Sequence, residues 1–103
     1  MPQIIYSEQA TGDIVRLAEF LEEIEPGLKQ KVISAILEGI EILEKFPRIA
    51  KASQDEKYKA MRELFIAFGK AGYVAMYEYH EEKSIVLITA IRHTREAGFK
   101  LEQ

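Results

Sequence analysis

Three runs of β-branched and aromatic residues follow one another in the second half of the chain. They span residues 61–68, 73–79 and 85–91, and the connections between them, residues 69–72 and 80–84, are short and polar or glycine-containing. Connections of this length join neighbouring antiparallel strands, whereas parallel strands need a longer crossover. The runs therefore predict a three-stranded antiparallel meander, which the rest of the chain must cover.

The polarity of the side chains within the runs indicates how the strands are covered. In the first run Leu64, Ile66 and Phe68 share one parity, and successive side chains of a strand point to opposite faces, so one face is apolar. In the third run both parities are apolar, which is typical of a strand covered on both faces. We therefore expect the third strand to lie in the centre of the sheet.

The start of the chain predicts an edge strand and a helix. Ile4-Ile5-Tyr6 is a short apolar run that suits an edge or end strand. Ser7 suits a helix N-cap, because its hydroxyl can accept a hydrogen bond from an unpaired backbone N–H of the first turn. Apolar residues from Ile14 to Ile24 then recur with the 3.6-residue period of an amphipathic helix, which indicates a first helix of about 16 residues.

A second helix is predicted after the break at Glu25-Pro26-Gly27. Proline suits a first helical turn, where its missing N–H would have no partner, so we expect Pro26 to lie in that turn. A broad apolar stripe predicts that this helix is the longer of the two and ends before Pro47. Gly39 lies beside the stripe, where the missing side chain would let the first helix approach closely.

The order of the elements defines the fold class. The order β-α-α-β-β-β predicts one α+β domain over residues 1–103, with two layers: an α-helical hairpin covers one face of the antiparallel sheet. The other face, or an edge, is left for a partner. Residues 47–60 are polar and basic and follow no period, so we expect a loop there, and loops of this length are often functional.

Composition excludes several classes of function. The chain has no cysteine, which excludes disulfides, thiolate metal sites and cysteine nucleophiles and fits a reducing cytosol. No apolar run approaches the roughly 18 residues of a membrane-spanning helix and no signal peptide opens the chain, so we expect a cytoplasmic protein. The net charge is −3, with residues 1–46 at −5 and residues 47–103 at +2, which is less basic than a general nucleic-acid binder usually is.

Candidate residues for chemistry are few, because the sequence contains no motif that predicts a cofactor or a metal site. Arginine binds phosphate or carboxylate through two hydrogen bonds, and histidine can transfer a proton near neutral pH. The charged residues that combine these properties at the strand ends are Arg62, Arg92, His93, Arg95 and Glu96. In a meander Arg62 and Arg92 should lie at opposite ends of the sheet. The alternative interpretation is that these charges end the strands and pair with Glu63 or Glu96.

Taken in order, these segments resemble the RelE/ParE superfamily of type II toxin–antitoxin toxins, specifically its ParE-like, plasmid-stabilisation members. The resemblance extends over nearly the whole chain. It lies in the sequence Ile4–Ser7, the helical hairpin, Phe46-Pro47, Arg62-Glu63-Leu64, Gly72-Tyr73-Val74-Ala75-Met76-Tyr77 and Ile91-Arg92-His93-Thr94-Arg95-Glu96.

The resemblance implies a growth-inhibiting toxin that a cognate ParD-like or RelB-like antitoxin neutralises by folding around it. ParE-like members are associated with inhibition of DNA gyrase, which needs no catalytic residue. The residues that we expect to contact the target or the antitoxin are Arg48, Lys57, Lys59, Arg62, Arg92, His93 and Arg95.

RelE-like members of the superfamily instead cleave mRNA in the ribosome. In that alternative, Arg62 and Arg92 would hold phosphate and His93 would move a proton. The sequence departs from the nuclease pattern at two positions: Val74 stands where many nucleases have an arginine, and Phe99 stands where they commonly have a tyrosine. A toxin that binds a macromolecular target is therefore the first hypothesis. An inactive relic that still binds an antitoxin is a third.

Overall fold

A five-stranded sheet in the order β1-β5-β4-β3-β2 forms one layer of the computed structural model, which describes residues 1–96 and 98. The elements are β1 (Gln3–Tyr6), α1 (Glu8–Ile24), α2 (Lys29–Ile40), a 3₁₀ helix (Glu41–Glu44), β2 (Lys51–Ala52), a second 3₁₀ helix (Glu56–Tyr58), β3 (Arg62–Phe68), β4 (Ala71–His80) and β5 (Ile85–His93). The predicted α+β order and the antiparallel meander β3-β4-β5 are confirmed.

The two helices lie on one face of the sheet, which we call the helix face. Strand residues that face each other across the ladder share a face, and Ile66, Tyr73, Ala75, Tyr77 and Ile91 all belong to the core cluster that α1 and α2 complete. The side chains of Tyr73, Tyr77 and Ile91 are almost completely buried there. The opposite side of the sheet, the open face, has no described helix over it.

A β-bulge in β5 decides which of its side chains point to the helices. Tyr77 pairs with Ile88, but Met76 pairs with Ala90, so Thr89 is an extra residue in the ladder. The bulge shifts the alternation by one position, and Ile88 and Ile91 therefore both reach the helix face although their parities differ. This explains the apolar residues of both parities in the third run. The prediction of a doubly covered third strand is wrong, because the strand that is buried on both faces is β4.

The first helix follows the sequence prediction closely. The Ser7 hydroxyl accepts a hydrogen bond from the Ala10 backbone N–H at 3.0 Å, which confirms the N-cap, and α1 is 17 residues long. β1 is an edge strand, as expected, and it pairs with β5 in parallel.

The predictions for the second helix are wrong in three respects. Pro26 lies in the turn before the helix, because α2 begins only at Lys29. With 12 residues α2 is the shorter helix, since the chain tightens into a 3₁₀ turn after Ile40. Gly39 faces the sheet and not α1: a Cβ built at Gly39 would lie 2.8 Å from Cγ2 of Ile66 on β3.

The segment 47–60 is more ordered than the sequence indicates. Two of its residues, Lys51 and Ala52, form the short edge strand β2 against β3. Asp55 then caps a 3₁₀ turn by accepting a hydrogen bond from the Lys57 N–H at 3.0 Å. Neither element has an apolar period, which is why neither could be predicted.

Substituting alanine for two helical glycines should have opposite effects on stability. Gly39→Ala forces Ile66 to move, so we expect the free energy of unfolding to fall by about 1 kcal/mol or more despite the better helix propensity of alanine. Gly12→Ala is the matched control, because nothing lies within 4 Å of its Cβ position, and it should raise the free energy of unfolding by about 0.5 to 1 kcal/mol. Urea unfolding measures both changes. A stabilised Gly39→Ala variant would contradict this packing.

Candidate functional site

Arg62 fastens a loop to the sheet on the helix face. Its Nη1 atom donates to the carbonyl oxygens of Arg48 at 3.2 Å and Ala50 at 2.6 Å. Beside it the Tyr77 hydroxyl donates to the Pro47 carbonyl at 2.8 Å, and burial raises the pKa of Tyr77, which keeps that donor protonated. Arg62 and Tyr77 together therefore hold the backbone of residues 47–50 in place.

Arg92 lies on the other side of the sheet. It pairs with Val74, which in turn pairs with Phe65, and these side chains point to the open face. Its Nη1 atom donates to the carbonyl oxygens of His93 and Glu96, both at 3.2 Å. The guanidinium group therefore binds the turn that follows β5. The register places Arg62 and Arg92 three residues apart along β4, and on opposite faces, so they form no joint clamp for a phosphate.

His93 is part of a tight turn at the end of β5. Its ring meets the ring of Tyr73 edge-on, with the centroids 5.4 Å apart, and its Nδ1 atom accepts a hydrogen bond from the Arg95 backbone N–H at 3.0 Å. Tyr73 is only 2% exposed and burial raises its pKa, so this phenol stays protonated and inaccessible. Arg95 itself is exposed.

The N-cap residue of α1 and polar side chains of the helix itself bind the outer edge of β5 beyond the end of β1. The Ser7 hydroxyl donates to the Thr89 carbonyl at 3.0 Å, and Asp13 Oδ2 accepts from the Ile91 N–H at 2.9 Å. Arg16 and Glu96 then form an ion pair with a closest distance of 3.2 Å. Periodicity places Asp13 and Arg16 only on the polar side of α1. It contains no signal that this side faces a strand.

A basic region, which we call the basic elbow (residues 45–59), contains β2 and several exposed cations. Phe46 and Ile49 are 55% and 54% exposed and line a shallow apolar pocket together with Pro47 and Arg48. Arg48 pairs with Glu81 at 2.7 Å and lies over the Tyr79 ring, 4.9 Å from its centroid. The exposed lysines of the basic elbow are Lys45, Lys51, Lys57 and Lys59.

The structure thus distributes the predicted site residues over three places. Arg48, Lys57 and Lys59 belong to the basic elbow, and Arg62 donates hydrogen bonds to its backbone. Arg92, His93 and Arg95 lie at the end of β5, and Phe99 lies outside the described residues. Within residues 1–96, no group of three His, Cys, Asp or Glu side chains is placed to hold a metal ion. None of the helices described is long and apolar enough to cross a membrane.

Comparison with known proteins gives a match along nearly the full chain. Residues 4–98 match the family described as the ParE toxin of type II toxin–antitoxin systems, parDE. The toxin RelE3 of Caulobacter vibrioides is 29% identical over 96 residues, which cover 93% of this chain and 98% of that relative.

Two solved structures share the fold. One is the toxin–antitoxin complex RelBE2 from Mycobacterium tuberculosis, with a TM-score of 0.64, 19% identity and coverage of 90% of this chain and 99% of that one. The other is the intact E. coli RelBE toxin–antitoxin complex, with a TM-score of 0.56, 18% identity and coverage of 93% of this chain and 100% of that one.

Removing the Arg62 guanidinium should loosen the basic elbow. Arg62→Met leaves the carbonyls of Arg48 and Ala50 without this donor, so we expect the free energy of unfolding to fall by about 1 to 3 kcal/mol. Amide hydrogen exchange at residues 50–53 should become faster. Arg95→Met is the control, and a change within about 0.5 kcal/mol is expected because its side chain is exposed. Equal stability of both variants would show that Arg62 has no such supporting role.

Proposed function

This chain belongs to the ParE toxin family of type II toxin–antitoxin systems, and from that membership we propose that it arrests growth by binding a protein target. DNA gyrase is the target that we propose, and a cognate ParD-like or RelB-like antitoxin is the neutralising partner. The observation that carries the choice of a protein target is the separation of Arg62 from Arg92 and His93.

Cleavage of mRNA would need Arg62, Arg92 and His93 to lie close together around one phosphate. A base for the ribose 2′-hydroxyl and a cation for the developing charge must both lie within hydrogen-bond reach of one phosphate. Arg62 is instead directed at two backbone carbonyls on the helix face, while Arg92 lies on the open face with its Nη1 atom on carbonyls of its own turn. Val74, the neighbour of Arg92 across the ladder, supplies no further cation. The geometry therefore favours binding over hydrolysis.

The net charge of the chain also favours a protein target over RNA. Ribosomal RNA binds strongly cationic surfaces, because each protein cation that meets a phosphate releases counterions. This chain carries a net charge of −3, which favours a protein partner over a phosphate backbone.

The basic elbow suits the antitoxin. An exposed apolar pocket lined by Phe46, Pro47, Arg48 and Ile49, in a segment that also carries the exposed Lys57 and Lys59, matches a tail in which apolar and acidic residues alternate. Ordering such a tail costs free energy, and burial of the exposed aromatic ring of Phe46 offsets part of it. Arg92, His93 and Arg95 remain proposed contact residues for the target.

Inducing the toxin alone distinguishes the hypotheses. We expect growth to stop and plasmid supercoiling to be lost while mRNA 5′ ends stay unchanged, which gel electrophoresis and 5′-end sequencing measure. Cuts in phase with codons would show a ribosome-dependent endoribonuclease and overturn the proposal. Unimpaired growth would indicate an inactive relic that only binds its antitoxin.

Reversing the charge of the basic elbow should weaken antitoxin binding. For the double variant Lys57→Glu/Lys59→Glu we expect Kd for the cognate antitoxin to rise about tenfold, mainly through slower association, with a smaller difference at high salt. Surface plasmon resonance at two salt concentrations measures this. The control is Lys31→Glu/Lys83→Glu, which makes the same charge change at exposed sites outside the elbow. An equal loss in both variants would indicate a general effect of net charge.

A further inference from the structure

We propose that Arg16 of α1 is a positioning residue for the turn at the end of β5 (residues 93–96, the end turn). Through the carboxylate of Glu96, Arg16 fixes the conformation of this turn and thereby the direction in which His93 and Arg95 meet the target. The inference rests on the proposed function, because it takes the end turn as a target contact. It adds a residue on another element that controls this contact.

The hydrogen bonds of the end turn converge on Glu96. Its carboxylate atom Oε1 accepts from the His93 backbone N–H at 2.8 Å, and its own N–H donates to the His93 carbonyl at 3.0 Å. Its carbonyl oxygen accepts from Nη1 of Arg92 at 3.2 Å. The His93 ring in turn accepts from the Arg95 N–H at 3.0 Å. The three proposed target contacts in this part of the chain therefore depend, directly or through one neighbour, on the position of Glu96.

Arg16 binds the Glu96 carboxylate from α1, 80 positions earlier in the chain. Its Nη1 atom lies 3.2 Å from Oε2 of Glu96 and its Nη2 atom lies 3.5 Å from Oε1. Two nitrogens of a planar guanidinium thus meet two oxygens, and this arrangement fixes the orientation of a carboxylate, whereas a single contact lets it rotate. Because Oε1 is also the acceptor of the His93 N–H, Arg16 acts on the end turn through that oxygen.

Arg16 also lies between two carboxylates that replace a missing strand. β1 pairs with only the first part of β5, so the outward N–H groups that follow need other acceptors. Asp13 accepts from the Ile91 N–H at 2.9 Å, and Glu96 accepts from the N–H of His93 two residues later. Nη2 of Arg16 lies 3.6 Å from Oδ1 of Asp13, so one cation offsets two negative charges that would otherwise repel each other. Without this cation Glu96 should move, because the backbone of Asp13 is fixed within a helix.

The exposure of the ion pair limits it to a local role. The side chains of Arg16 and Glu96 are 51% and 38% exposed, and ion pairs at such positions contribute little to the overall stability of a protein. A turn at the end of a strand opens much more easily than the whole fold, so a small contribution is enough to decide its conformation. Loss of the Arg16 guanidinium should therefore change the end turn and leave the core intact.

Two substitutions of Arg16 and one control test the positioning role. Arg16→Met keeps the apolar stem and removes the charge, whereas Arg16→Lys keeps a charge and loses the planar fork. Lys31→Met is the control, because it also removes one positive charge, at an exposed site on α2. Each protein is tested for amide hydrogen exchange at His93, for its urea midpoint and for binding to DNA gyrase and to the cognate antitoxin. Growth inhibition is followed after each protein is induced alone.

For Arg16→Met we expect the His93 amide to exchange at least about tenfold faster. Gyrase should bind about three- to tenfold more weakly, and growth inhibition should weaken with it. Antitoxin binding and the urea midpoint should stay as in the unchanged protein, which also shows that the variant is folded. Arg16→Lys should restore part of the slow exchange and part of the gyrase binding, and Lys31→Met should change neither.

Two results would overturn this inference and leave the proposed function standing. One is an unchanged exchange rate of the His93 amide in Arg16→Met, since weaker gyrase binding would then indicate a direct contact by Arg16. The other is faster exchange together with full growth inhibition. Failure of the unchanged protein to bind gyrase would instead overturn the proposed target, and amide exchange and growth inhibition would still decide the role of Arg16.

Discussion

The extra residue at Thr89 determines how every side chain beyond it in β5 is used. By shifting the alternation, it places Ile91 and His93 over the helices and Arg92 on the open face. Without the bulge the core would lose Ile91 and receive a charged guanidinium in its place, which is far too costly to bury unpaired. The bulge also turns the Thr89 carbonyl toward the Ser7 hydroxyl, so that the cap of α1 is at the same time a contact to the sheet.

The two edges of the sheet differ in how their backbone groups are paired. Beyond the end of β1, the side chains of Ser7 and Asp13 satisfy the backbone of β5 at Thr89 and Ile91, which leaves that edge unsuited to another strand. On the other side β2 pairs with only two residues of β3, Arg62 and Glu63. In the part of the chain that the structure describes, the outer edge of β3 from Leu64 onward therefore has no neighbouring strand. A protein that is always bound to a partner in its resting state can keep such an edge, because the partner protects it.

The sequence predicted the layers of the fold and failed at the contacts between them. The meander, the edge strand and the Ser7 cap depend on local periodicity and hydrogen bonding, which can be inferred from neighbouring residues. The roles of Asp13 and Gly39 depend on which element packs opposite, and periodicity carries no information about that. The same limit applies to Arg62: the sequence shows a charge at a strand end, but its two carbonyl acceptors come from residues 12 and 14 positions earlier. The sequence also gives no indication that Phe65 is exposed, because a phenylalanine in an apolar run is normally a core residue.

Gly72 connects the backbone packing of this protein with the position of the exposed Phe65 ring. Any side chain at this position would come within 2.5 Å of the Ile66 carbonyl and would also displace the Phe65 ring. Random mutagenesis followed by selection for non-toxic variants would therefore recover replacements of Gly72 that destabilise the fold and lose toxicity for that reason. Such variants would be degraded in the cell and would carry no information about the target. Changes at exposed side chains differ in this respect, so a screen that also demands a stable, antitoxin-bound product would separate the two classes.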